Sequence, residues 1–226
     1  MIALARFQVA GYLRSLRVLP PLIVILLLLA LVLFQPPVGA RLATGAFGDV
    51  AAFMFPVWAW AARSLLDTQP DEQRALSATA AGGPWTPALA GLLAAGSVNL
   101  GLAVIVLAVP VVQGLVAGLA ALPVLAGLAL NALVAAAATL LGAWTSRALV
   151  PDPGVSLLAL LGGATAALLL SLGPLDVVSV PMISWIRAAH DGPDVLVSAF
   201  PGLGAHLALW TAAVGLAYLL VRRTRT

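Results

Sequence analysis

Long apolar runs, interrupted by isolated charges, organise this chain. No charge occurs from Val18 to Ala40, enough for one membrane span of about 20 residues. The uncharged run Val50–Ala62 is shorter, and reaches span length only if Arg63 snorkels and the span extends from Asp49 to Leu66. From Ala75 to Ser146 no ionisable group occurs at all. That stretch suits two spans, with a break near Gln113-Gly114 and Gly118. Pro153–Leu175 supplies a fifth span and Val195–Val221 a sixth.

Composition supports lipid as the solvent. The 226 residues are 62% hydrophobic and 8% charged, with a mean hydropathy of +1.11. Roughly a quarter of a soluble domain is charged, so this chain cannot cover a water-facing surface of its size. The predicted fold is all-α: one transmembrane domain, 1–226, of six helices with an N-terminal amphipathic helix and a short outer re-entrant hairpin before the last span. A pI near 10.6 does not point to nucleic acid, because the arginines are scattered near span ends and there is no lysine. With six spans, one side holds Arg6, Arg14, Arg17, Arg63, Arg74, Arg147, Arg222, Arg223 and Arg225, and the other only Arg41 and Arg187. The positive-inside rule places the first side, and both termini, in the cytoplasm of a cell-membrane protein.

Three segments depart from plain spans. At the N-terminus, Ile2, Ala5, Val9, Tyr12 and Leu16 share one helical face, with Arg6, Ala10, Arg14 and Arg17 opposite. That pattern predicts a helix lying on the membrane surface, with arginines toward headgroups or a partner. In the loop Asp67–Pro87, Thr68 and Asp71 resemble a capping box, Pro70 fits a first turn, and Gly82-Gly83-Pro84 is a stop signal. A short cytoplasmic helix over 69–81 is expected there. It holds Glu72, the only glutamate in the chain. Between Gly173 and Phe200, Pro174, Pro181 and Pro193 divide apolar pieces too short to span but apolar enough to dip into the outer interface. Such backbone is tolerated only where protein or water satisfies it.

Several activities lack their residues. Spans one, three, four and five carry no ionisable group at mid-depth, which disfavours a proton-coupled pump. His206, in the outer half of span six, is the one candidate relay. An intramembrane serine protease needs a Gly-x-Ser-Gly-like nucleophile setting, and neither Gly96-Ser97-Val98-Asn99 nor Leu170-Ser171-Leu172-Gly173 supplies it. Without cysteine, and with two histidines, no metal cluster is expected. Without lysine, a Gly-x-x-x-x-Gly-Lys phosphate loop is impossible, so the chain is not its own ATPase by that route.

In layout the whole chain resembles the permease subunits of type-2 ABC transporters. Members of that family have an elbow helix, six spans, a coupling helix between spans two and three, and an outer hairpin before span six. The elbow corresponds to Ala3–Leu19, the coupling helix to Asp71-Glu72-Gln73-Arg74-Ala75-Leu76, and the hairpin to Pro174–Phe200. The resemblance implies a non-enzymatic transport subunit, paired with a second permease copy or a sister permease. A separate cytosolic ATP-binding subunit would hold ATP and Mg, and no cofactor would sit on this chain. It also implies docking through Asp71, Glu72, Gln73 and Arg74, with Arg6, Arg14 and Arg17 pairing with the ATPase or with anionic lipid. The uncharged interior suggests export of a hydrophobic or amphipathic cargo (lipid, drug or peptide), with Asn99, Gln113, Asn131 and His206 as polar groups for its path. The alternatives are a substrate-binding membrane subunit of a vitamin importer, the protease, or a membrane protein with no transport role.

Overall fold

The computed structural model describes residues 1–30, 39–70, 73, 83 and 85–223. Among them the secondary structure is helical throughout. The α-helices are α1 (Ile2–Arg14), α2 (Leu19–Leu28), α3 (Ala40–Leu66), α4 (Thr86–Val116), α5 (Ala121–Trp144), α6 (Pro153–Ser171), α7 (Met182–Asp191) and α8 (Pro193–Arg223). Five of these, α3, α4, α5, α6 and α8, are long and apolar enough to cross a membrane. The bent pair α1 and α2 adds a sixth if it counts as one span; its two helices meet at 72°. This is the architecture of a multi-pass membrane protein.

Helix α3 is the central post. In its most apolar window 72% of residues are buried, against 17% in α6 and 11% in α8. α4, α5 and α7 pack around α3, while α8 packs mainly against α5. The core is built from Phe47, Met54, Phe55 and Trp58 of α3, Leu130 and Val134 of α5, and Trp185 of α7. Small residues allow the α3–α5 approach. A Cβ on Gly142 would overlap the Ala59 carbonyl oxygen and lie 2.8 Å from the Ala62 Cβ. Without a hydrophobic drive between helices in lipid, contact at this range is what supplies cohesion.

Contacts between helix ends fix the topology. Gly91, early in α4, sits beside Leu66 at the end of α3 and Gln8 of α1. Arg222, at the end of α8, donates to the carbonyl of Ala148, just after α5. The N-terminal helix, the end of α3, the start of α4, the end of α5 and the end of α8 therefore share one end of the bundle. The α4–α5 turn and α7 lie at the other. Arg17, Arg63, Arg147 and Arg222 all belong to the first end, and Arg41 to the second, where it donates to the His190 carbonyl. This is the grouping that loop parity predicted.

Four details differ from expectation. First, α3 begins at Ala40, not near Asp49. Arg41 and Asp49 lie within it, beside Asp191 and His190 of α7. Second, α7 is a single helix with one buried face, and the expected second arm of the hairpin is the opening of α8, which starts at Pro193. Pro is favoured in a first turn, and Gly192, with φ 126°, turns the chain sharply before it. Pro201 then sits inside α8 without ending it, as apolar surroundings tolerate. Third, the buried face of α1 is centred on Ala5 and Tyr12, whereas Ile2 and Leu16 are exposed. Leu16 occupies the bend itself, with φ 58°. Fourth, α6 ends at Ser171, short of Leu175. The α4–α5 break came close to expectation, with Gly118 at φ 76°. Of the predicted first span, α2 is described, and residues 31–38 lie outside the described residues.

Candidate functional site

The arginine-rich end is the most polar region of the described structure. It is assembled from the α1–α2 bend, the end of α3 and the α5–α6 connection. Asp67, capping α3, is the hub. Its Oδ1 accepts from the Arg147 backbone N–H at 2.8 Å, its Oδ2 lies 3.7 Å from Arg63 Nε, and its carbonyl accepts from Arg17 Nη1 at 2.9 Å. Arg63 reaches across to α6, donating from Nε to Ser156 Oγ at 2.6 Å and from Nη2 to the Pro153 carbonyl at 3.1 Å. The Ser156 hydroxyl in turn donates to the Thr145 carbonyl. Asp152 caps α6 by accepting from the Val155 N–H at 2.7 Å. The snorkelling predicted for Arg63 thus takes the form of a tie between α3 and α6.

A second junction lies beside it. Leu4 and Gln8 of α1, Leu66 and Gln69, Gly91 of α4, and Tyr218 with Arg222 of α8 enclose a cavity of about 40 Å³. Gln8 Oε1 is buried there without a protein partner, and the space suffices for one or two waters to satisfy it. Tyr12 is fully buried between α1 and α3. Burial pushes its hydroxyl from the ordinary 10.0 up to about 12, partly countered by the Ser64 hydroxyl and the Arg17 charge. Arg223 stacks over Trp85 at 5.6 Å, tying the end of α8 to the start of α4. Arg6, Arg14 and Arg17 are all exposed, and Arg17, just past the end of α1, turns toward the bundle to reach the Asp67 carbonyl.

Of the expected docking residues, Gln73 is helical and half-buried, while Asp71, Glu72 and Arg74 lie outside the described residues, as does most of the helix expected over 69–81. The polar groups expected along a path are not brought together. Asn99 is fully buried, donating to the Trp58 carbonyl at 3.0 Å and to Thr139 Oγ1 at 2.9 Å. Asn131 is likewise buried, donating to the carbonyls of Phe47 at 3.1 Å and Gly127 at 2.9 Å. Both are rungs holding α3 to α4 and α5 in this conformation. Each amide oxygen is buried without a hydrogen-bond partner. Gln113 is half-buried at the far end of α4, and His206 is half-buried on α8 with its Nε2 unpartnered.

No family model, curated protein or solved structure matches this chain.

At the opposite end, α7 is locked to α3 by a cluster that sequence reasoning missed. His190 Nε2 and Asp49 Oδ1 are 2.8 Å apart. Arg41 Nε donates to the His190 carbonyl at 2.7 Å, and its Nη2 lies 3.7 Å from Asp191. Gly48 permits the approach: a Cβ there would lie 2.7 Å from the Ala189 Cβ. The signal available in sequence was the amphipathic pattern of α7, with Met182, Trp185, Ala188 and Ala189 buried and Arg187 exposed. Among the described residues neither histidine is hydrogen-bonded to a serine, and no three His, Asp or Glu side chains converge. The arrangement holds helices together at two polar ends across an apolar middle.

Proposed function

We propose that this chain is the membrane-spanning permease subunit of an ABC exporter, powered by ATP hydrolysed on a separate cytosolic subunit. The observation that carries this reading is the join of α1 and α2. An amphipathic helix bent 72° from an apolar one lies at the same end as the α3–α4 connection and the end of α8. A force applied at that end meets three elements at once. Through Asp67 and Arg63 it reaches α6, and through α3 it reaches α7 at the far end. Supporting it, α7 precedes the last helix where an outer hairpin was expected.

On this reading α1 is the elbow, the arginine-rich end is cytoplasmic, and six spans cross the cell membrane. Asp71–Arg74 dock on the ATPase, and ATP-driven closure rocks the helices. The little-buried faces of α6 and α8 face lipid or a second permease copy. The cargo is hydrophobic or amphipathic, since the core offers few charges to a polar one.

The test is co-purification with an ATP-binding subunit. Replacing Asp71–Arg74 with alanine is expected to cut the co-purified ATPase at least tenfold, without loss of folded permease. Unchanged association after that replacement defeats the docking assignment, and no ATP-binding partner at all defeats the exporter reading.

A further inference from the structure

Between the α1–α2 bend, the end of α3 and the start of α6 lies an open cleft of about 360 Å³, within the size range of small-molecule sites. Arg17, Arg63 and Arg147 line it together with Asp67, Trp60 and Pro153. Among the described residues three guanidinium groups line the cleft with one carboxylate, a formal balance of two positive units. Asp67 cannot neutralise more, since it is already committed to Arg63 and the Arg147 N–H. Arg63 is the least exposed of the three arginines, its side chain only 12% exposed. A charge at that depth is costly unless paired, and one shared carboxylate at 3.7 Å pairs it incompletely.

We propose that this cleft binds the phosphate-bearing headgroup of an anionic glycerophospholipid. Guanidinium forks match phosphate oxygens in shape and charge. Each arginine carries five N–H donors, and the hydrogen bonds of Arg17 and Arg63 use only some of them. Arg147 is fixed through its backbone N–H, so its exposed guanidinium is not needed to hold the turn. A lipid fits better than a soluble phosphate because of where the cleft lies and what else lines it. It opens where the apolar helices α2, α3 and α6 end, which is headgroup depth. Trp60 and Pro153 give it apolar walls suited to a glycerol backbone, and basic pockets between helix ends are a recurrent way to hold anionic lipid. A bound headgroup bridges α2, α3 and α6 at the point where α1 bends away. This inference does not depend on ATP-driven transport.

The test uses the full chain in nanodiscs of equal phosphatidylcholine and phosphatidylglycerol. Lipid retained after gentle detergent extraction is counted by native mass spectrometry. Wild type is expected to retain phosphatidylglycerol over phosphatidylcholine by about fivefold or more. Arg147→Gln, which leaves the helix ties intact, is expected to bring that ratio below about twofold. Arg187→Gln, at the opposite end, should leave it unchanged. Equal retention of the two lipids by wild type overturns the proposal, as does an Arg147→Gln variant with the wild-type ratio. If millimolar inorganic phosphate displaces the retained lipid and itself raises the melting temperature as much as phosphatidylglycerol does, the site belongs to a soluble anion and the lipid assignment fails.

Discussion

Two glycines show how far identical residues can differ in role. Gly142 and Gly162 both sit inside apolar helices. At Gly142 a methyl would strike the Ala59 carbonyl and crowd Arg63 N at 2.9 Å, both backbone of the central helix that cannot swing aside. At Gly162 a methyl meets nothing within 4 Å. Overpacking a tight contact costs about 1–3 kcal/mol, whereas alanine for glycine on an open helix face gains roughly 0.5–1 kcal/mol. Gly142→Ala should therefore lower thermal stability in detergent, and Gly162→Ala should hold or raise it. Matching shifts in the two variants would mean that α5 does not press on α3 as described. The sequence could not separate them. Gly162-Gly163-Ala164 looks like a packing motif, yet Gly162 is open while a Cβ on Gly163 would lie 2.7 Å from Leu141 Cδ1. Small residues are abundant in spans three to five, so which of them are touched depends on helix rotation, and a uniformly apolar helix gives no periodic signal for rotation. For the same reason Asn99 and Asn131 were legible as rare polar groups but not as interhelical rungs.

At the scale of elements, periodicity served best where one face was polar. The surface character of α1 was visible in Arg6, Arg14 and Arg17, and its buried face was found at Ala5 and Tyr12 but overextended to Ile2 and Leu16. At Leu16 the overextension follows from the helix stopping at Arg14, beyond which wheel positions lose meaning, and Ile2 is exposed in the first turn of α1. The docking of α1 has a titration signature. Tyr12 ionises near 10.0 in the unfolded chain but at about 12 when buried. As pH rises from 10, the unfolded chain releases this proton first, so stability falls between pH 10 and 12. Below pH 10 both states hold the proton and the effect vanishes. Melting curves of the detergent-solubilised protein should show this alkaline loss, and Tyr12→Phe should reduce its slope. Parallel curves for the two proteins would show that α1 is not seated through Tyr12. The α7 segment carries an amphipathic pattern, and two of the prolines around it mark helix limits: Pro181 precedes α7 and Pro193 opens α8, while Pro201 is carried within α8. The start of α3 was missed because Arg41 and Asp49 looked like a boundary, and only the fold brings His190 and Asp191 to meet them.

For the whole molecule, charge asymmetry carries the map. Arginine placement foretold which helix ends lie together because desolvating a guanidinium excludes it from mid-span, leaving it only the ends. Contacts then brought Arg17, Arg63, Arg147 and Arg222 to one end and Arg41 to the other. On the proposed reading the bias of arginine toward the inner side puts the arginine-rich end in the cytoplasm, and that orientation can be measured directly. The chain has no cysteine, so single-cysteine variants report from one place without background. Pro151→Cys probes the exposed α5–α6 connection at the arginine-rich end, and Gly173→Cys probes the exposed loop after α6 at the other. In intact cells a membrane-impermeant maleimide should label Gly173→Cys alone, and Pro151→Cys should react only after permeabilisation. The two sites flank one helix of 19 residues, so one crossing is all that can separate them. Labelling of both from outside would mean that α6 does not cross. The reversed pattern would turn the molecule over, placing Asp67 and the segment after it out of reach of a cytosolic ATPase and removing the source of power from the proposed exporter.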